Sequence, residues 1–320
     1  MTISKPATEV VTRAANILNS GGLIAFPTET VYGLGADASN PDAVAKIFAA
    51  KGRPADHPLI VHVGSAAQLG DWATGIPPEA YDLANKFWPG PLTLILQRSD
   101  TVPDAVTGGQ DTVGLRVPNH PTALSLLKAF GGGIAAPSAN RFGRISPTTA
   151  QHVRDELGNA VDVILDGGAC EVGLESTILD LSGDRARVLR PGGIAVSALA
   201  EVLGYTPELV TTSEVRASGT LASHYAPTTP AALVTWGEIA ELSAPDIGVL
   251  SLKPKPKDFR GSWLTLPPEA AAYGAGLYGA LRTLDTPSAR RIYIETVPDE
   301  AAWTAVRDRL QRATHATTAD

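Results

Sequence analysis

The sequence predicts an α/β fold, in which a first domain with a twisted mixed sheet is followed by a linker and a small Rossmann-like α/β domain. Three observations lead to this prediction. Along residues 1–210, short apolar runs alternate with amphipathic helical patterns, and Gly or Pro turns separate them. Residues 211–230 lose the apolar periodicity, which is typical of a linker. Residues 231–320 resume the alternation in a Rossmann-like order.

Periodicity, capping residues and turn residues predict the individual elements. In the first domain, helices are predicted over residues 8–19, 40–52, 66–72, 79–87, 121–130 and 195–203, and strands over 23–26, 59–63, 92–96, 113–117, 134–136, 161–165, 177–181 and 186–189. In the second domain, strands are predicted over 231–235, 247–252 and 291–295, and helices over 268–284 and 300–313.

Composition and charge exclude several classes of protein. The chain has 320 residues, of which 44% are hydrophobic and 18% charged, as in an ordinary globular protein. Its net charge is −7, and residues 1–210 carry 15 Lys and Arg against 21 Asp and Glu, which argues against a globally basic nucleic-acid binder. Cys170, the one cysteine, cannot form an intramolecular disulfide or a cysteine-rich metal site. No signal peptide or membrane-length apolar run is evident, so a cytoplasmic location is expected.

Residues 21–63 hold the first candidate site. A strand-like run stops at Pro27, and the polar residues 28–32 follow, as in loops that line small-molecule sites at strand ends. Asn40 is a good N-cap for the helix that comes next, and this helix ends near Lys51 and Arg53. Because the proline after Arg53 favours extended backbone, both cations can lie along one anionic group, although a solvated pair at a helix end remains open.

One glycine pattern invites a misreading. Residues 274–279 match G-x-G-x-x-G, but the residues before them have a helical pattern where a dinucleotide site would have a strand. Leu277, Leu281 and Leu284 continue an apolar helix face through the motif, so we interpret it as a packing feature. The chain also lacks a P-loop string, so any bound ATP would be held in another way.

Cations and short polar side chains recur at the ends of the predicted strands. Arginine and lysine offer forked or point-charge donors to phosphate oxygens, and hydroxyl groups suit a ribose or an amino acid. The candidates are Lys51, Arg53, Thr112, Arg116, Ser138, Asn140, Arg144, Ser146, Ser176 and Arg190.

The strings around these residues resemble the YrdC/Sua5 family. The chain carries P-T-E-T-x-Y-G-L-G, K-x-R-P-x-x-x-P-L, S-x-N, G-L-E-S-T-I and R-P-G, and the linker contains H-Y-A-P as in the longer Sua5 type. Two positions depart from the pattern. His57 stands where the family more often has Asn, and Ser218 begins an S-G-T string where the linker usually reads P-G-M.

The resemblance implies a YrdC-like catalytic domain over residues 1–210, the linker over 211–230 and a Sua5 C-terminal domain over 231–320. It implies threonylcarbamoyl-AMP synthase activity, a nucleotidyltransferase reaction that makes L-threonylcarbamoyladenylate and pyrophosphate from L-threonine, bicarbonate or CO2, and ATP. The product would serve the t6A modification at position 37 of ANN-decoding tRNAs through a downstream threonylcarbamoyl transferase, with weak direct tRNA binding as an open option. Mg2+ is expected to arrive with ATP, since no carboxylate cluster has the spacing of a protein metal site.

The resemblance also implies residue roles. Lys51 and Arg53 are the candidate catalytic residues. The candidate ATP-binding residues are Lys51, Arg53, His57, Thr112, Ser138, Asn140, Ser146, Arg190, His224 and Tyr225. The candidate threonine-binding residues are Thr30, His62, Arg116, Ala136 and Ser176. For His62, a buried core histidine is the competing interpretation, because Ile60 and His62 share one face of a strand.

Three rival functions remain open from the sequence. An RNA-binding module is disfavoured by the acidic first domain. A carbamoyl-phosphate adenylating enzyme of the hydrogenase-maturation type is disfavoured because those proteins carry cysteine-rich modules. The third is a regulatory ATP-binding protein.

Overall fold

The computed structural model describes residues 5–210, 215–242 and 244–315. The chain forms two compact units. The first unit holds the described residues of Met1–Phe142, Pro147–Glu171 and Glu175–Thr220, and the second those of Gly143–Ser146, Val172–Leu174 and Leu221–Asp320. Within the described part of the chain, no helix has the length and apolarity that crossing a membrane requires.

The first unit is a ten-stranded mixed sheet covered by helices. Its strands are β1 (Ile24–Phe26), β2 (Gly33–Asp37), β3 (Ile60–His62), β4 (Leu92–Gln97), β5 (Thr112–Arg116), β6 (Ile134–Ala135), β7 (Val163–Ile164), β8 (Thr177–Asp180), β9 (Arg187–Arg190) and β10 (Glu208–Leu209). Its helices are α1 (Lys5–Asn19), α2 (Pro41–Lys51), α3 (Leu69–Trp72), α4 (Pro78–Phe87), α5 (Asp104–Thr107), α6 (Pro121–Phe130), α7 (Ala150–Leu157) and α8 (Val196–Leu203). The strand order is β10-β9-β8-β4-β5-β3-β6-β2-β1-β7.

The centre of this sheet positions the candidate residues. β3 runs parallel to β5, and their register sets His62 opposite Arg116. β4 lies antiparallel to β5 and parallel to β8, so Thr93 faces Ile178 across the second pair. Apolar residues bury both faces of these strands, because helices cover the sheet on each side. Rigid central strands therefore carry the polar side chains of the site.

The second unit contains a four-stranded parallel sheet. Its strands are β11 (Ala231–Val234), β12 (Ile247–Ser251), β13 (Ser262–Thr265) and β14 (Arg291–Glu295), in the order β11-β14-β12-β13. The helices are α9 (Trp236–Ala240), α10 (Ala270–Leu284) and α11 (Thr304–Thr314). The G-x-G-x-x-G string lies inside α10, where Gly274 packs on Leu174 and Gly276 on Leu266, so its interpretation as a packing feature is confirmed.

The structure corrects several element predictions. Residues 33–37 form β2, an antiparallel partner of β1, where a loop was expected; α2 is therefore entered from β2. The elements α5, α7, α9, β10 and β13 were not predicted, and the helix predicted from residue 300 begins with a 3-10 turn at Ala301–Trp303. The predicted linker spans the two units: residues up to Thr220 cluster with the first and those from Leu221 with the second, while residues 211–214 lie outside the described residues.

Candidate functional site

Helix α2 delivers Lys51 to the site. The Asn40 side chain caps its first turn by accepting from Asp42 N at 3.0 Å, and Gly52 ends it with φ of 61°. The buried Lys51 Nζ donates to the carbonyl oxygens of Ser138, at 2.5 Å, and Asn140. Burial, and then the nearby Arg53, lower the pKa of Lys51 well below its usual value. A bound anion would oppose both effects, because it favours the charged ammonium.

Two arginines converge on Ser218. Arg53 Nη2 donates to Pro58 O at 3.0 Å and to Ser218 Oγ at 3.3 Å, and its guanidinium carbon lies 5.9 Å from the centre of the Phe142 ring. Arg190 Nη1 donates to Ser218 O at 2.7 Å. The two cations thus approach the same residue from different strands and loops, and their fork-shaped groups face oxygen atoms. An anion with several oxygens would find the same donors.

A half-open pocket lies beside this cluster. Its lining residues are Pro58, Leu59, Ile60, Thr93, Ile95, Gln110, Thr112, Gly114, Ile178, Arg216, Ala217 and Ser218. The predicted nucleotide residue Thr112 therefore lines the same space as Ser218.

Arg116 forms the second polar centre. Its Nη2 donates to Glu29 Oε1 at 2.6 Å and to Thr30 Oγ1 at 2.9 Å, and its Nε donates to Gly90 O at 3.3 Å. The Arg116 and Glu29 side chains are 5% and 4% exposed, so this is a buried ion pair. Glu29 Oε2 also accepts from Asn119 N at 2.9 Å. Among the described residues, no hydrogen bond from Arg116 Nη1 is found.

His62 has a buried ring nitrogen that makes no hydrogen bond with the described residues. Its ring lies 5.7 Å from that of Phe26 in an edge-on arrangement, and its buried Nδ1 has no hydrogen-bond partner in the part of the chain that the structure describes. Burial, and then the charge of Arg116, lower the pKa of His62 to about 3. A core histidine normally satisfies its ring nitrogens, so the unfilled Nδ1 favours a ligand-facing role.

Ser176 contacts Arg190 and strand β4. Its hydroxyl lies 2.8 Å from Thr93 Oγ1, and its carbonyl oxygen accepts from Arg190 Nε at 3.1 Å and Nη2 at 2.9 Å. Ala136 lies at the end of β6, where its N–H donates to Ile60 O at 2.9 Å.

Two predicted ATP residues, His57 and Asn140, contact the segment at residues 141–142. The His57 ring packs edge-on against Phe142 at 5.3 Å, and burial, followed by the charge of Arg53, lowers its pKa. Asn140 Nδ2 donates to Arg141 O at 2.7 Å.

Three further predicted ATP residues, Ser146, His224 and Tyr225, belong to the second unit. There, Ala226 N donates to Gly143 O at 2.9 Å, and so the H-Y-A-P segment pairs with the segment that contains Ser146. The Tyr225 ring is 1% exposed, stacks on Tyr278 at 5.7 Å and lies under the Arg309 guanidinium at 5.1 Å. The Tyr225 φ of 60° is unusual for a non-glycine residue.

Sequence reasoning missed Glu29 and Ser218 as site residues. Glu29 lies in the P-T-E-T string, so the sequence displays the residue itself. Its partner Arg116 lies 87 positions away, and no local pattern indicates that the two residues pair. Ser218 departs from the family pattern, and nothing in the sequence indicates that it contacts Arg53 and Arg190. Among the described residues, no group of three or more His, Cys, Asp or Glu could hold a metal ion.

Comparisons with known proteins agree with this geometry. A model of the Sua5/YciO/YrdC family, described as telomere recombination, matches residues 16–192. The chain belongs to the Sua5/YrdC family. A second model, the threonylcarbamoyl-AMP synthase C-terminal domain, matches residues 194–315.

Relatives cover this Sua5/YrdC chain almost completely. Threonylcarbamoyl-AMP synthase of Bacillus subtilis is 40% identical over 319 residues, which is 95% of this chain and 92% of the relative. Its namesake from Pyrococcus abyssi is 40% identical over 317 residues, covering 94% and 92%. The crystal structure of P. abyssi Sua5 complexed with L-threonine superposes with a TM-score of 0.92 at 38% identity, covering 98% and 96%.

Proposed function

We propose that this chain is a threonylcarbamoyl-AMP synthase that makes L-threonylcarbamoyladenylate from L-threonine, bicarbonate or CO2, and ATP. The threonine ammonium loses a proton to solvent, and the amine attacks the carbon of CO2, which arises from protonated bicarbonate by loss of water. The new N–C bond takes electrons from one C=O bond, and a second proton leaves the nitrogen to give an N-carboxylate. A carboxylate oxygen of that group attacks the α-phosphorus of ATP, and the bond to the bridging oxygen breaks. Pyrophosphate leaves with the electron pair, as in other in-line phosphoryl chemistry.

The observation that carries the proposal is the arrangement of buried cations in the first unit. Lys51, Arg53 and Arg190 are all buried, and so is Arg116, which lies opposite His62 in the register of β3 and β5. The substrates bring several negative charges together, so a site without fixed cations could not hold them. The first cluster suits the triphosphate, and the second suits an amino acid carboxylate.

Specific roles follow from the contacts. Arg53 and Arg190 exchange their bonds with Ser218 for phosphate oxygens, and Lys51 contributes a charge once an anion restores its proton. Arg116 Nη1 takes the threonine carboxylate while Glu29 and Thr30 hold the other end of the guanidinium. His62 Nδ1 offers the threonine hydroxyl a partner. Catalysis then rests on position and charge, with no covalent enzyme intermediate.

Mg2+ fits this site as a companion of ATP. Because the described residues contain no carboxylate or histidine group with the makings of a metal site, triphosphate oxygens and water would supply its ligands. The ion would neutralise phosphate charge that Lys51 and Arg53 leave uncompensated. We also propose that the product passes to a transferase for t6A synthesis in the cytoplasm.

Pyrophosphate release tests the proposal. The full chain, supplied with ATP and Mg2+, should release pyrophosphate only when both L-threonine and bicarbonate are present. Release that ignores threonine would indicate simple ATP hydrolysis and contradict the proposal.

A further inference from the structure

The hydroxyl groups of Thr28 and Thr30 form a short chain beside Arg116. Thr28 Oγ1 lies 2.6 Å from Val31 O and 2.8 Å from Thr30 Oγ1. Arg116 Nη2 donates to Thr30 Oγ1 at 2.9 Å. Both threonines are buried, with exposed fractions of 2% and 0%, so these contacts lie away from water. Thr30 is a candidate threonine-binding residue, whereas Thr28 has so far no role in the proposed reaction.

The ability of each group to donate fixes the direction of every hydrogen bond in this chain. Val31 O can only accept, so the single hydroxyl proton of Thr28 points to it. Two hydroxyl oxygens 2.8 Å apart share a proton, and Thr28 has no second one, so the Thr30 proton points to Thr28. Thr30 therefore meets Arg116 as an acceptor, in agreement with a guanidinium that can only donate.

The Thr30 hydroxyl can consequently treat a ligand in one way only. Its proton is used by Thr28 and one lone pair by Arg116, and its oxygen has no other partner among the described residues. Because a hydroxyl oxygen has two lone pairs, one remains to accept a hydrogen bond, and no proton remains to donate. A ligand carboxylate or carbonyl oxygen would face this lone pair unfavourably, whereas an N–H group would find an acceptor.

The surrounding contacts hold the chain in this state. Thr30 N and Val31 N both donate to Thr28 Oγ1 at 3.2 Å, so the backbone of its own turn orients the Thr28 hydroxyl. At the other end, Arg116 Nη2 gives its second proton to Glu29 Oε1 at 2.6 Å. Neither neighbour can therefore release Thr30 without breaking a buried hydrogen bond.

We propose that Thr28 is a positioning residue, which holds the Thr30 hydroxyl as an acceptor for the nitrogen of the substrate amino acid. The inference rests on the proposed synthase function, in which Arg116 Nη1 takes the threonine carboxylate. Since that carboxylate cannot bond to Thr30, the site distinguishes the two polar ends of the amino acid. While the amine attacks CO2, one N–H stays on Thr30 and the nitrogen lone pair is free to react. The N–H that remains after carboxylation keeps the same partner.

Calorimetric titration of the full chain with two ligands tests the proposal. (R)-β-Hydroxybutyrate is L-threonine without the amine, so the ratio of the two Kd values measures what the amine contributes. We expect L-threonine to bind the wild type at least about tenfold more tightly, and Thr28→Val to reduce this ratio at least about fivefold. Thr28→Ser keeps the hydroxyl and should keep the wild-type ratio. Thr107→Val, the same change at another buried threonine of the first unit, is the control and should also keep it.

A double variant separates positioning from a purely structural role. If Thr28 acts through Thr30, then Thr30→Val should reduce the ratio as Thr28→Val does, and combining the two changes should reduce it no further. A purely structural Thr28 would weaken the binding of both ligands equally, or would add its effect to that of Thr30→Val. Either of these results would overturn the proposal.

The wild type alone tests the acceptor even if Thr28→Val fails to fold. The keto acid α-ketobutyrate has a carbonyl oxygen where an amino acid has its amine, and butyrate has no polar group there. In competition with L-threonine, α-ketobutyrate should bind no more tightly than butyrate, because its oxygen would face a lone pair of Thr30. Tighter binding of α-ketobutyrate would mean that Thr30 donates, which would overturn the proposal.

The titrations also separate this inference from the synthase proposal on which it rests. If L-threonine does not bind to the wild type, the threonine site of the synthase and the role of Thr28 are both wrong. If L-threonine binds and Thr28→Val keeps the wild-type ratio, only the role of Thr28 is wrong.

Discussion

Lys51 and Arg53 are both buried, although each carries a group that water normally solvates. Lys51 satisfies two backbone carbonyls, and Arg53 satisfies Pro58 O. Such burial costs folding free energy, and the charge of a bound anion would offset part of that cost. This is the expected behaviour of the phosphate clamp that we propose for these two residues.

Removing either cation should abolish most synthase activity. Lys51→Ala and Arg53→Ala each delete a charge-assisted contact worth about 1.5–3 kcal/mol or more, so we expect pyrophosphate release to fall at least tenfold. Lys128→Ala, an exposed lysine on α6, is the control and should be neutral. Thermal melts exclude unfolding, and near-normal turnover by both variants would rule out the clamp.

His62 should make the fold sensitive to acid. Its pKa of about 3 lies below the ordinary 6.5, so the unfolded chain takes up a proton there that the folded chain refuses. The free energy of unfolding should thus fall as the pH drops from about 6.5 toward 3. Urea unfolding at several pH values checks this, and His62→Gln should flatten the dependence. If the free energy of unfolding of His62→Gln falls with pH as steeply as that of the wild type, groups other than His62 cause the dependence.

At the scale of elements, the start of helix α2 depends most on local sequence, because the side chain of its N-cap residue, Asn40, binds the first turn. Asn40→Ala should lower the free energy of unfolding by about 1 kcal/mol, because Asp42 N and Ala43 N lose their acceptor. Asn40→Asp keeps an acceptor and should retain most of the stability. Chemical denaturation measures both. Equal loss in the two variants would show that the cap contributes little.

The elements that the sequence predicted well have strong local signals. Helix α6 has the predicted bounds because Pro121 starts it and Gly131, with φ of 81°, ends it. Strand β2 was missed because Gly33, Gly35 and Ala36 have low strand propensity, and only its partners β1 and β6 specify it. Tertiary pairing decided this element, and periodicity could not reveal it.

Across the whole molecule, the site depends on contacts between distant segments. Motif resemblance located Arg116, His62 and Arg190 in the sequence, but their partners Glu29 and Ser218 emerge only after the sheet forms. Fixed strand register brings His62 opposite Arg116, and no local pattern contains that register. Sequence reasoning therefore reached the residues with recognisable chemistry and missed those that orient them.

Residues beyond 210 should matter for activity. A chain that ends at Leu209 loses Ser218 and its contacts with Arg53 and Arg190, whereas a chain that ends at Thr220 keeps them. We expect the shorter chain to fold but to show a higher KM for ATP than the longer one, and both to be impaired relative to the full chain. Steady-state kinetics measures KM and activity for the three chains. Full activity of the chain that ends at Leu209 would show that the linker only connects the two units.

Direct identification of the product tests the central claim most closely. The full chain is incubated with ATP, Mg2+, L-threonine and 13C-labelled bicarbonate, and the nucleotide products are analysed at once by mass spectrometry. We expect L-threonylcarbamoyladenylate that carries the label in its carbamoyl carbon, in amounts equal to the pyrophosphate released. The amount of labelled product should fall at least tenfold in Lys51→Ala and Arg53→Ala. Formation of AMP or ADP without any labelled threonyl adduct in the wild-type reaction would contradict the account.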